Sequence, residues 1–249
     1  MNHMPCITKA ALLLLISATS ASVAHADVVY ANQDIYAAGQ TTPTLALSQG
    51  GGLNPTLVPI VGASALQFIV TGGPITLNDH GNYNNADGVG AAVATSSNTG
   101  YGSISGITAP NAGYLVGLFV APGGPSGSAP ASLNFVTSGT GFSTLSPLLD
   151  QVFFIGDGLT GNGTGSLQTF IVPTGATQLY LGISDANGYN GAPGFYFDNT
   201  GNFLVTTNFV AVPTSPIPEP SSLLLLATGG LGLLATVGRK RLGLLSIRG

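Results

Sequence analysis

From Asp27 to Pro216 the chain contains no Lys, Arg, Glu, Cys, Met or Trp. Its acids there are eight aspartates (Asp27, Asp34, Asp79, Asp87, Asp150, Asp157, Asp185 and Asp198), and its one histidine is His80. A segment without cysteine has neither a disulfide framework nor a thiolate metal site. With no basic side chain it cannot neutralise phosphates, which excludes nucleic acid as a partner. One histidine and no lysine also leave few ways to tune a general base near neutrality. Over the whole chain charged residues make up 6%, against roughly 25% in ordinary soluble domains. All five basic residues lie at the ends: Lys9, Arg239, Lys240, Arg241 and Arg248.

Those ends read as addresses. Lys9 precedes a short apolar run, Ala10 to Ile16, and Ala24-His25-Ala26 forms an A-x-A site. Together they predict a signal peptide over residues 1–26 with cleavage after Ala26. At the other end a Pro-rich linker over 213–220 contains Pro218-Glu219-Pro220, and an uncharged stretch follows over 221–238. As a helix that stretch spans about 27 Å, close to the thickness of a bilayer core. Arg239, Lys240 and Arg241 open a basic tail over 239–249, which stays cytoplasmic by the positive-inside rule. The sequence therefore predicts a membrane-anchored precursor whose domain lies outside.

Residues 27–212 read as one all-β domain. Short runs rich in β-branched and aromatic residues recur between Gly, Pro, Asn and Ser clusters. The clearest are Ala65–Thr71, Tyr114–Ala121, Gln151–Ile155, Leu167–Val172, Gln178–Ser184 and Asn202–Val212. Leu179, Leu181 and Ile183 share one face, opposite Gln178, Tyr180 and Gly182, and Phe203, Val205 and Phe209 share another. This half-buried alternation predicts a single antiparallel β-sandwich. Ala121–Pro130 reads as a mobile surface loop.

Two motif look-alikes are discounted. Gly156-Asp157-Gly158-Leu159-Thr160-Gly161 fits G-x-G-x-x-G, but no helix follows it to hold a pyrophosphate. Asn82–Gly88 is not an EF-hand loop, because Ala94 stands where the bidentate Glu is required. The pair Asp79-His80 reads as an exposed polar loop.

One cluster points to chemistry. Asp185 ends an apolar strand, and Asp198 and Asn199 follow on a Gly-containing loop before the last strand. Ca²⁺ takes six to eight oxygens from such carboxylates, amides and carbonyls. Asp and Asn also favour turns without any metal, so the spacing leaves both readings open. Asp198 and Asn199 can share one ligand sphere only on a loop. Asp185 is expected to reach them by antiparallel pairing of its strand with the last one.

Two resemblances attach to these residues. Pro218-Glu219-Pro220, the apolar stretch and Arg239-Lys240-Arg241 resemble the PEP-CTERM sorting signal of exopolysaccharide-producing Gram-negative bacteria. That resemblance implies processing by an exosortase, a membrane cysteine protease, and delivery to the cell surface or the extracellular matrix. The stretch from Gly165 to Phe209 resembles the C-terminal half of the calcium-dependent galactophilic lectins (PA-I type). The matching features are Val172-Pro173-Thr174-Gly175, the strand to Asp185, and Pro193-Gly194-Phe195-Tyr196-Phe197-Asp198-Asn199-Thr200-Gly201. It implies a small jelly-roll-like sandwich with one Ca²⁺ at its loop edge. Asp185, Asp198 and Asn199 would be side-chain ligands, with carbonyls from Phe195 and Thr76. Asn84 and Asp87 take the places of the lectin's sugar-contacting residues. The expectation is a non-enzymatic, exported protein, calcium-stabilised and carbohydrate-binding, or a structural matrix component with a lectin-like fold and no sugar. A secreted hydrolase built on paired carboxylates is a third reading.

Overall fold

A computed structural model describes residues 24–39, 52–60, 62–78, 83–90 and 95–210. The expected signal peptide up to residue 23, Asp79 and His80, the linker, the apolar stretch and the basic tail lie outside the described residues. Among the described residues no helix is long and apolar enough to cross a membrane.

The described chain is almost entirely β. In order the strands are β1 (Ala24–Tyr30), β2 (Thr56–Pro59), β3 (Ala65–Gly72), β4 (Ser96–Tyr101), β5 (Ile104–Ala109), β6 (Leu115–Val120) and β7 (Leu133–Asn134). There follow β8 (Thr144–Leu145), β9 (Val152–Phe154), β10 (Leu159–Gly161), β11 (Thr164–Leu167), β12 (Thr169–Ile171), β13 (Gln178–Ile183), β14 (Asn190–Gly191) and β15 (Asn202–Val210). One helical turn, α1 (Phe135–Ser138), is capped by Asn134, whose side chain accepts from the Val136 and Thr137 N–H groups.

All six expected strands form, within one or two residues of their expected bounds. They do not form a single sandwich. The strands make a five-stranded sheet (β1-β15-β3-β12-β8), two four-stranded sheets (β2-β13-β6-β9 and β14-β4-β5-β7) and the β10–β11 hairpin. Three pairings, β12–β8, β14–β4 and β5–β7, are parallel, so the expectation of a purely antiparallel fold is also corrected.

The reason lies in β6 and β13. Leu115 and Phe119 of β6 enter one core with Leu179, Leu181 and Ile183 of β13, facing Leu66, Phe68, Phe170, Phe203 and Val205 of the five-stranded sheet. Val116, Leu118 and Val120, with Tyr180, enter a second core against Ile104, Ile107 and Phe135. The central sheet is therefore covered on both faces, as its near-continuous apolar strands require. Phe119 stacks on Phe153 at 5.0 Å, and Phe153 meets Phe170 at 5.4 Å, which ties the first core across its two sheets. Each buried ring contributes about 1.5–3 kcal/mol.

Gly156–Gly158 is a turn that leads straight into β10, the first strand of the β10–β11 hairpin, so no helix follows the glycine motif. The Ala121–Pro130 loop is tied at two points: Ser126 N–H donates to Asp150 (3.1 Å) and the Ser103 hydroxyl donates to the Gly127 carbonyl (2.6 Å).

Candidate functional site

Where β13 ends, the apolar alternation gives way to Ser184 and Asp185, both 2% exposed. The chain then turns through Asn187–Tyr189 and β14 and comes back, Ala186 bridging Pro193 and the Gly194 N–H donating to the Asp185 carbonyl (3.1 Å). Tyr196 fastens this loop to the strand end. Its hydroxyl donates to the Ile183 carbonyl (3.1 Å) and accepts from the Asp185 N–H (3.0 Å). Phe195 just before it takes a left-handed backbone (φ 69°), uncommon for an aromatic residue and a kind of strain that gathers at functional sites.

Asn199 closes the arrangement. Its Nδ2 donates to Asp185 Oδ2 (2.9 Å) and to the Ala31 carbonyl (3.2 Å), while its Oδ1 is buried without a hydrogen-bond partner. Asp185, Asp198 and Phe195 line a hollow of about 200 Å³ together with Asn78 and Tyr189. Thr76 lies beside this loop, paired with Thr200 through both backbones and through their hydroxyls at 2.7 Å. Its carbonyl already accepts the Thr200 N–H (3.1 Å), which leaves one lone pair for any further ligand.

The expected route to this meeting is corrected. β13 pairs with β2 and β6, and β15 pairs with β1 and β3, so the two strands belong to different sheets. Asp185 reaches Asn199 across the gap between layers.

The structure adds a residue that sequence reasoning missed. Asp34 is fully buried, beside Ile183 in a parallel bridge. Its Oδ1 accepts from the Tyr36 N–H (2.8 Å), while Oδ2 is buried and makes no hydrogen bond of good geometry. Burial pushes its carboxyl up to about 6, against the opposing pull of the Tyr36 N–H and the nearby Tyr196 hydroxyl. Burial likewise pushes Asp185 up to about 7; the Asn199 and Ala186 hydrogen bonds lower it, and the charges of Asp198 and Asp34 raise it. The available signal was Asp34 standing directly before the apolar Ile35-Tyr36-Ala37, the pattern of a capped, buried turn.

Asn84 and Asp87 do not join this hollow. Asn84 is 1% exposed and donates to the Ala112 carbonyl (2.8 Å). Asp87 faces the other way and accepts the Asp157 N–H (3.0 Å). That contact exists because Gly156 has no side chain: a Cβ there would stand 2.1 Å from Asp87 Oδ1. Asp157 in turn accepts the Leu159 (2.8 Å) and Gly163 (2.6 Å) N–H groups. Among the described residues, no three Asp, Glu, His or Cys side chains meet as a metal cluster. A cation at the hollow would therefore draw on Asn and carbonyl oxygens beside its carboxylates.

The comparisons with known proteins bear on the other end of the chain. A family model for the PEP-CTERM protein-sorting motif matches residues 216–241. The tail matches a sorting motif. The match takes in Pro218, Glu219, Pro220, Arg239, Lys240 and Arg241. It implies an exported, membrane-anchored precursor that an exosortase processes and sorts to the cell surface. No curated protein and no solved structure matches the chain, so the lectin resemblance gains no support from relatives.

Proposed function

We propose that this is a non-enzymatic β-domain, delivered by an exosortase to the cell surface or extracellular polysaccharide matrix and stabilised there by Ca²⁺ bound at the hollow lined by Asp185 and Asp198. The apolar stretch 221–238 anchors the precursor until the tail is processed. The observation that carries the metal reading is the burial of Asp34 and Asp185 in a domain without one Lys or Arg. Buried carboxylates are ordinarily paired with cationic side chains, coordinate metals or take up a proton. No Lys or Arg is there for the first of these. Of the hollow's lining, Asp185 and Asp198 supply charge and Phe195 a carbonyl; Asn199 Oδ1, an uncommitted amide oxygen, and the Thr76 carbonyl lie outside that lining and are the further oxygens an ion would recruit. In this reading the domain is a structural component of the matrix.

A carbohydrate-binding reading is favoured by one observation. Phe197, next to Asp198, leaves 64% of its surface exposed at the loop. An aromatic face beside a few polar groups is the usual make-up of a small-ligand site.

Thermal melts of the processed, exported protein in Ca²⁺, Mg²⁺ and chelator test the metal. A hundredfold excess of Ca²⁺ over its Kd stabilises by about 2.7 kcal/mol, a rise in Tm of about 5–10 °C for a domain of this size. Mg²⁺, which demands tighter octahedral geometry, should substitute poorly. Asp185→Ala and Asp198→Ala should abolish the rise. Identical melts in all three conditions reject the site. A glycan array run with and without chelator separates the two readings. Intact-mass analysis tests processing: exported material should lack residues 1–26 and everything after the PEP motif.

A further inference from the structure

Asp27 is a further carboxylate turned partly inward, with no Lys or Arg to meet it. β1 is the edge of the five-stranded sheet and runs antiparallel to β15, Asp27 opposite the buried Val205 and His25 opposite the buried Thr207. The Asp27 side chain is 15% exposed, and its Oδ2 is buried without a hydrogen-bond partner. Among the described residues its ion-pair partner is His25, whose Nε2 lies 3.1 Å from Oδ1. Burial raises the Asp27 pKa, and His25 opposes that rise. Across the strand, β15 presents Val205 and Thr207, neither of which titrates.

Cleavage after Ala26 removes His25 and leaves the carboxylate where it is. We propose that the same cleavage supplies the replacement: the new α-ammonium group of Asp27 neutralises the Asp27 carboxylate and holds the end of β1 to β15. One water hydrolyses the Ala26–Asp27 amide. Ala26 departs as a carboxylate on the leader, and the freed Asp27 amine takes up a proton. The ladder places that nitrogen well. Ala31 N–H donates to the Gly201 carbonyl (3.0 Å), and in an antiparallel pair every second residue repeats the pattern, so the nitrogens of Val29 and Asp27 also face β15. Once the tail is also removed, this amine and His80 are the only basic groups of a chain without Lys or Arg. Export processing therefore finishes the edge of the sheet whose second strand leads towards the sorting tail.

The inference rests on cleavage after Ala26, and the experiment separates the two. Mass analysis of exported protein first establishes whether the chain begins at Asp27; a start elsewhere removes the cleavage reading and this proposal with it. The chain from Asp27 to Gly249, in detergent, is then compared with a free and with an acetylated α-amine, each with Asp27 and with Asp27→Asn. At pH 6.5 the free amine should raise Tm by about 2–4 °C over the acetylated form, as expected for a part-exposed pair. The gap should vanish in Asp27→Asn. In the parent chain it should close only above the ordinary α-amino pKa of about 8. A chain that begins at Asp27 and shows no gap, or the same gap with Asp27→Asn, overturns the pairing alone.

Discussion

The loop that carries Asp185 and the turn that carries Asp157 both set aspartates against Asn- and Gly-rich backbone, and both keep company with a second acid. They differ in what surrounds the oxygens. Both oxygens of Asp157 accept fixed backbone N–H groups, and Asp87 adds a further such bond, so three of four oxygens in that pair staple one stretch of chain to another. At the other site Asp34 and Asp185 are buried almost completely; each Oδ1 accepts a backbone N–H, but Asp185 Oδ2 is held by a side-chain amide, and a hollow opens beside Asp185. Backbone donors cannot leave without unfolding the turn. An amide can rearrange to offer its oxygen. The same residue types thus make a structural clasp in one place and a candidate ion site in the other.

The widest separation between the two regions should come from pH. Asp34 and Asp185 have folded pKa values raised to about 6 and about 7, above the ordinary 3.8. The folded state then binds more protons than the unfolded one between these values. Their contribution to stability is full below about pH 4 and is lost as pH rises through 6 to 7. Without metal, Tm should fall from pH 5 to pH 8 by the equivalent of several kcal/mol, the reverse of ordinary acid denaturation, and saturating Ca²⁺ should remove most of that fall. Asp34→Asn should flatten the metal-free profile. A profile unchanged by Ca²⁺ would make the two acidic regions alike.

Tyr196→Phe breaks the comparison from below. It leaves the buried Asp185 N–H and Ile183 carbonyl without the shared hydroxyl, at a cost of about 2–4 kcal/mol, read by denaturant unfolding. It should also weaken the Ca²⁺ response, because the loop would lose its register on β13.

Gly52→Ala tests the floor of the same site. A Cβ there would stand 2.7 Å from Asp34 Cβ and 3.2 Å from the Tyr196 ring. Such overpacking costs about 1–3 kcal/mol, and the Ca²⁺-induced shift in Tm should shrink with it.

The Asp157 turn should give the smallest effects. Asp157→Ala removes two N–H acceptors, one of them for an exposed glycine, and should cost about 1–2 kcal/mol. Asp87, which burial raises to about 6, can be changed to Asn within about 0.5 kcal/mol at neutral pH. Both variants should keep the whole Ca²⁺ response; loss of it in either would move the ion to this turn.

Much of the outer organisation was legible from residue order. The tail was recognisable because Pro218-Glu219-Pro220, an uncharged stretch and a basic cluster are local, contiguous signals, and the sorting-motif match covers them. The six strongest strands were recognisable because period-two alternation is also local. The number of layers was misread at Tyr114–Ala121. Its unbroken apolar run already indicated a strand covered on both faces, but β13 was read as having one wet face because Gln178 and Gly182 stand among its apolar residues. Gly182 is buried by the close approach of Gln33 and Ile35, a packing event that no periodicity records.

The sequence by itself determined an all-β exported domain, uncharged except for aspartates, and a loop on which Asp185, Asp198 and Asn199 lie near one another. Only the tertiary structure decided which acids share an environment. It brought in Asp34 from far upstream, sent Asn84 and Asp87 to other neighbours, and joined Asp185 to Asn199, which lie on loops beside strands of different sheets. The physical reason is that a carboxylate's chemistry depends on its desolvation and on the charges around it. Both are set by how the layers stack, and residues distant in sequence supply them.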